Sequence, residues 1–349
     1  MIEHAAIHPA ACFSLMERVF SSMLAGTAGQ LPTKIEELLP RELAIQLDRL
    51  DLVSRRILNG RLPGERRSKR RGRSVEFDDF REYSAGDDLR HIDWNVFARL
   101  DRFFVKIFRE EEDLSLHVIV DCSASMDAGI PNKLVWAHQV AMAVGYIGLV
   151  NQNRVAATLV GVPGNSGVMR LAPMRGRTSL SRLGAVLLQS LEQSTRHKSI
   201  AGPSFSQAIK KAGISHIDRG VVLVLSDFLT EDGTTQDLAP GMSLLSALTE
   251  KGADVYCMQV LSPGEIDPSI ERPRGLLGDL RMLSAESAKA TEVTVTPGLI
   301  SRYQNHLAGF QNSLKALCNS KGLHLLNART DIKVADLILQ SLRRGGLLG

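Results

Sequence analysis

The chain has 349 residues, enough to bury a full core and to hold one large domain or a domain with a smaller companion. Its 44% hydrophobic and 23% charged residues exclude general disorder, and a formal net charge of +4 is too small to imply a polyanionic partner except through local clustering. Four widely spaced cysteines, Cys12, Cys122, Cys257 and Cys318, with no C-x-x-C pair and no histidine at zinc-finger spacing, argue against a disulfide framework or a structural zinc.

Residues 1–38 read as an N-terminal arm of little pattern. The start Met1-Ile2-Glu3-His4 lacks a basic region followed by an apolar one, and the longest apolar run, Val140 to Val150, is too short to span a bilayer, so the expectation is a cytoplasmic chain without a membrane span. From Pro40 the residues Leu43, Leu47, Leu50, Val53 and Ile57 follow helical spacing up to Gly60. A basic run follows, with Arg66, Arg67, Arg70, Arg71 and Arg73 offset only by Glu65. A solvated loop is the plainest account of it; docking onto an acidic partner surface through these arginines is the functional one, and nucleic acid ranks below it because no aromatics are interleaved.

Between Ser74 and Trp94 acids, arginines and aromatics alternate as in a compact β-rich element held by arginine–carboxylate pairs. Asp87, Asp88 and Asp93 beside His91 also have the look of a metal or acid–base cluster, but Arg81, Arg90 and Arg99 are near enough to neutralise them. Residues 39–114 are therefore taken as one helix, a basic loop and this small β-rich segment.

From Leu114 onward strands and helices alternate, which predicts an α/β fold with a doubly wound, mostly parallel sheet covered by helices on both faces, over residues 115–345. Strands are expected at Leu114–Val120, Arg154–Val162, Gly167–Leu171, Gly220–Leu225, Ala253–Leu261 and Leu323–Leu326. Residues 263–299 break the alternation with two strand-like stretches, expected as an insertion that pairs with the β-rich segment before residue 114.

The first apolar strand stops at Asp121-Cys122-Ser123-Ala124-Ser125, one carboxylate and two hydroxyls at alternate positions at a strand's carboxyl end. Magnesium takes few protein ligands, all oxygen, so Asp121, Ser123 and Ser125 supply about half a shell. Asp227 ends a second apolar strand in the same way, and Ser204 offers a hydroxyl from the loop Gly202-Pro203-Ser204. The competing reading is a plain helix cap.

Asp121-x-Ser123-x-Ser125, a later hydroxyl loop and a strand-ending Asp227 resemble the metal-ion-dependent adhesion site of von Willebrand factor A domains. Arg73-Ser74-Val75-Glu76-Phe77, Arg81-Glu82-Tyr83, Gly86-Asp87-Asp88-Leu89-Arg90-x-Ile92-Asp93-Trp94 and Ala98-Arg99, followed at once by that site, look like the bacterial family called domain of unknown function fifty-eight. The resemblance runs from about Leu38 to the carboxyl terminus. It implies a von Willebrand factor A-like fold, bound Mg2+ or Mn2+, and a MoxR-type AAA+ ATPase as partner, because genes of the family commonly lie beside genes for such ATPases. Where the adhesion site has threonine this sequence has Ser204, with Thr178 as the alternative.

The resulting expectation is a non-enzymatic, metal-dependent protein-binding module working with that ATPase on a client protein. The rival is a metal-dependent phosphohydrolase with Asp121 as nucleophile. Its weakness is Ser123, which stands where such enzymes carry a second aspartate as general acid, and no phosphate-binding loop or nucleophile elbow is present.

Overall fold

The computed structural model describes residues 31–52, 76–84, 86–109, 114–164, 167–196, 203–214, 217, 219–230, 233–270, 278–283, 290–342 and 346–348. The arginine run Arg66, Arg67, Arg70, Arg71 and Arg73, and most of the N-terminal arm, lie outside the described residues. In chain order the helices are α1 Ile35–Leu38, α2 Arg41–Leu47, α3 Trp94–Leu100, α4 Lys133–Val150, α5 Leu180–Arg196, α6 Phe205–Ala212, α7 Ala239–Glu250, α8 Pro263–Ile266 and α9 Pro297–Ser320. The strands are β1 Glu76–Glu82, β2 Phe104–Arg109, β3 Ser115–Asp121, β4 Arg154–Val160, β5 Val168–Met174, β6 Gly220–Ser226, β7 Ala253–Leu261, β8 Gly278–Leu283, β9 Ala290–Val295 and β10 His324–Arg329. The chain divides into two compact units, residues 1–60 with 114–349, and residues 61–113.

The larger unit is built on a six-stranded sheet in the order β10-β7-β6-β3-β4-β5. All neighbours are parallel except β5, which runs antiparallel to β4 at one edge. The central strands are apolar and β-branched without alternation because both faces are covered. Successive residues of β3 and β6 point to opposite faces. Val118, Val120, Leu223 and Leu225 join a core with α4, α5 and the segment Val334–Leu342. Ile119, Val222 and Val224 join a second core with α6, α7 and α9. The chain changes faces between α5 and α6, where the strand order turns back across β3. That makes the carboxyl ends of β3 and β6 the topological switch point, where open α/β sheets form a crevice.

Three expectations are corrected. The helix from Pro40 ends at Leu47 instead of running to Gly60. Beyond it the chain is pulled to the end of α4: Asn151 Nδ2 donates to the Leu50 carbonyl at 2.7 Å and Leu52 bridges to Leu348, so tertiary contacts override the periodicity. The helix therefore belongs to the larger unit. The insertion strands β8 and β9 pair with each other as an antiparallel hairpin, and β1 and β2 form their own two-stranded sheet. Finally, α4 is long and apolar enough to meet a membrane-span criterion, but 83% of it is buried in the fold, as expected of a helix apolar on all sides at the centre of a large core.

In the smaller unit β1 and β2 pair antiparallel with a bulge between Phe77 and Asp79. Phe97 stacks on Phe103 at 4.4 Å, with Trp94 edge-on at 6.2 and 6.3 Å. The acids beside His91 are used structurally. Arg81 pairs with Asp87 and Arg90 with Asp88, both at 2.8 Å, while Asp93 caps α3 through the Asn95 and Val96 amides and pairs with Lys106 at 3.0 Å. The hydrogen bond from Lys106, then the cap amides, hold the Asp93 carboxyl below the usual range.

His138 in α4 is fully buried, with Nδ1 donating to the Leu134 carbonyl and Nε2 facing Ser190 Oγ, each at 2.7 Å. Burial depresses its pKa from 6.5 to about 4. A depressed histidine contributes stability that is complete above pH 6.5 and is lost as pH falls through 4, an interval worth about 3 kcal/mol. Urea unfolding of His138→Gln should show an acid-side slope shallower by about that amount between pH 6.5 and 4. A slope equal to that of wild type would contradict it.

Candidate metal centre

Strand β3 delivers Asp121 to the switch point, and parallel pairing of Val120 with Leu225 sets Ser226 and Asp227 of the adjacent strand beside it. Both oxygens of the buried Asp121 carboxylate are engaged. Oδ1 accepts from the Ser123 amide at 2.9 Å, and Oδ2 accepts from Ser226 Oγ at 2.7 Å. Ser226 Oγ in turn accepts from the Phe228 amide at 3.0 Å, so the two strand ends are tied together. The loop turns tightly after Asp121: the Cys122 amide donates to the Val160 carbonyl at 2.7 Å, and Gly161, at φ 74°, closes against it. A Cβ there would lie 3.0 Å from the Ser123 nitrogen, so the close approach needs glycine.

Ser123 and Ser125 come together, with their hydroxyl oxygens 3.1 Å apart and both residues half-buried. Adjacent oxygens of an octahedral magnesium shell with bonds of about 2.1 Å stand about 3 Å apart, so this pair matches two neighbouring ligand positions. Among the described residues no cluster of three or more His, Cys, Asp or Glu side chains forms a candidate metal site, and any site here depends on hydroxyls.

Asp227 is 1% exposed and not a free ligand. Its Oδ2 accepts from Lys133 Nζ at 2.9 Å and its Oδ1 from the Leu229 amide at 3.2 Å. Lys133, at the start of α4, also donates to Glu265 Oε1 at 2.5 Å. Glu265 closes a capping box on α8, its Oε2 accepting from the Ser262 amide at 2.7 Å. Burial alone would lower the Lys133 pKa, but the Asp227 and Glu265 carboxylates outweigh it and raise it. Sequence reasoning missed Lys133, Glu265 and Ser226. The signals were there: the one lysine in an apolar helix opening just after the serine loop, and Ser262-Pro263-Gly264-Glu265 as an S-x-x-E capping box at the end of β7.

The two candidate third hydroxyls part company. Ser204 caps α6, its Oγ accepting from the Gln207 amide at 3.5 Å, and the next residue, Phe205, packs edge-on to Phe228 at 5.1 Å. Ser204 is therefore near the crevice while acting as a helix cap. Thr178 follows β5, whose Met174 pairs with Val155 at the amino end of β4. It lies at the opposite end of the sheet from Asp121 and is excluded.

Desolvation first, and then the charge of Asp227, push the Asp121 pKa up to about 6. A carboxyl raised above its ordinary 3.8 contributes stability that is complete below pH 3.8 and is lost as pH rises through 6, about 3 kcal/mol in total. In chelator at pH 7, Asp121→Asn should therefore unfold at higher urea than wild type, by about 2 kcal/mol, with the advantage gone near pH 4. A variant less stable than wild type at pH 7 would refute this assignment.

The family model described as "Protein of unknown function DUF58" matches residues 79–311. Uncharacterized proteins of Mycobacterium tuberculosis and Mycobacterium bovis are 27% identical over 315 residues, covering 88% of this chain and 92% of theirs. The crystal structure of the pilus adhesin SpaC from Lactobacillus rhamnosus GG, in its open conformation, aligns with 69% of this chain at 11% identity and a TM-score of 0.36. This chain spans 31% of that adhesin, and the likeness is too slight to carry an argument.

Proposed function

Because this chain belongs to the DUF58 family of proteins of unknown function, and because its switch point gathers hydroxyls instead of a catalytic dyad, we propose that it is a non-enzymatic, metal-dependent protein-binding module. The observation that carries the reading is the paired Ser123 and Ser125 hydroxyls, 3.1 Å apart beside Asp121 at the carboxyl end of β3. In this reading the fold is of the von Willebrand factor A type. Ser123 and Ser125 hold Mg2+ or Mn2+ directly, Asp121 and Asp227 act through water or through their electrostatic field, and Ser204 is the third hydroxyl if it leaves its cap. The metal supplies an electrophilic position for an acidic side chain of another protein.

The partner class follows from the resemblance described above: a MoxR-type AAA+ ATPase, with a client protein that the pair assembles, matures or remodels. The arginines 66, 67, 70, 71 and 73 are assigned to orienting that partner. A nucleophilic Asp121 is disfavoured because the side chain is buried and both of its oxygens are already tied into hydrogen bonds that fasten the two strand ends together.

Calorimetric titration of the purified protein with Mg2+ and Mn2+, alone and with the neighbouring ATPase, tests the reading. Weak binding should tighten about tenfold when the ATPase is present and disappear in Asp121→Ala, and by linkage the ATPase should bind about tenfold tighter with metal. Full retention of the ATPase by Asp121→Ala in chelator would sink the proposal.

A further inference from the structure

The Lys133 ammonium has no access to water, and both groups it touches are sealed as well. Each carboxylate is held from its other side: Asp227 by the Leu229 amide, and Glu265 by the Ser262 amide and hydroxyl. The backbone is pinned too, with Gln259 Nε2 donating to the Asp227 carbonyl at 3.0 Å and Tyr303 OH to the Glu265 carbonyl at 2.7 Å. All four carboxylate oxygens of the triad thus accept a hydrogen bond. A buried ion pair is a weak source of stability compared with an apolar replacement, so stability alone is a poor account of three sealed charges.

Their placement supplies a better one. Lys133 neutralises the carboxylate that stands next to Asp121, while Glu265 stands one step further out and restores the negative charge that Lys133 removes. With all four groups ionised the cluster keeps two negative charges, matching one divalent cation.

We propose that Lys133 is a resident cation of the switch-point site and Glu265 its counterweight, so that together they set how tightly the Ser123 and Ser125 oxygens, with the Asp121 carboxylate behind them, hold an external divalent cation. Lys133 lowers that affinity and Glu265 raises it. The proposal rests on reading those oxygens as a cation site, and it adds what regulates the site: a charge built into the first residue of α4.

Mn2+ is the probe, with binding to the full chain followed by calorimetry and by loss of the free-ion electron paramagnetic resonance signal. Wild type, Lys133→Gln, Glu265→Gln, the double variant, and each with Asp121→Ala are compared, with thermal unfolding as the check on folding. Lys133→Gln should tighten Mn2+ about tenfold, Glu265→Gln should weaken it about tenfold, and the double variant should return close to wild type. Asp121→Ala should abolish binding in every background. A purely structural triad would lower the melting temperature in both single variants and leave the Mn2+ affinity unmoved; that result overturns the proposal while leaving the metal reading intact. Absence of Mn2+ binding in wild type and all variants overturns both. Should Lys133→Gln not fold, Glu265→Gln still decides, because the weakening must appear there against an unchanged Asp121 dependence.

Discussion

Carboxylates brought out of water at the ends of neighbouring strands repel one another and are starved of hydration, and the carboxyl edge of this sheet is arranged around that difficulty. Parallel register sets Asp121 beside Ser226 and Asp227, with α4 packed on one face of the sheet and α9 on the other. Two devices relieve the strain. Lys133 enters from the first turn of α4 to meet Asp227, and Asp121 takes two hydrogen bonds while its proton affinity rises. Each element that frames the site is fastened through one of these contacts: β6 through Ser226, α4 through Lys133, and α8 with α9 through Glu265 and Tyr303.

The local backbone carries some of the cost. Phe228, directly after Asp227, adopts a left-handed conformation at φ 55°, which is rare for a bulky side chain. Its amide reaches Ser226 Oγ only in that turn, and its ring finds Phe205 across the crevice. Gly129, at φ 89°, plays the complementary part on the other side, since a Cβ there would meet Ser262 Cβ at 2.5 Å. Strain and close approach are thus concentrated around the carboxyl ends of β3, β6 and β7.

Much of this was legible in the sequence, and the reasons for the rest are physical. The runs ending at Asp121 and Ser226 announce strands buried on both faces, and their abrupt polar ends mark the crevice. Asp121, Ser123 and Ser125 could be grouped because they are local, and Asp227 because two such strands in a parallel sheet end on one side. Partners supplied by later segments were not legible. Nothing in the spacing of Lys133 and Glu265, 132 residues apart, says that they touch. Helical spacing through Leu50 and Val53 reports a preference, and the pull of Asn151 on the Leu50 carbonyl decides against it. Strand-like stretches announce β8 and β9 without naming what they pair with, and the closest strand in sequence proves to be the partner.

The apolar circumference of α4 has a consequence for how the chain is made. On a ribosome this helix emerges after α1, α2 and β3, which cover part of it, and ahead of the rest: α5 follows some tens of residues later, and the segment Val334–Leu342, with Trp136 Nε1 donating to the Ile332 carbonyl, later still. Until those later segments are made, the nascent chain carries a helix whose length and composition pass for a membrane segment. Lys133 at its first turn is then a solvated charge, a mark of polarity that is sealed away only when Asp227 and Glu265, 94 and 132 residues further on, come to meet it.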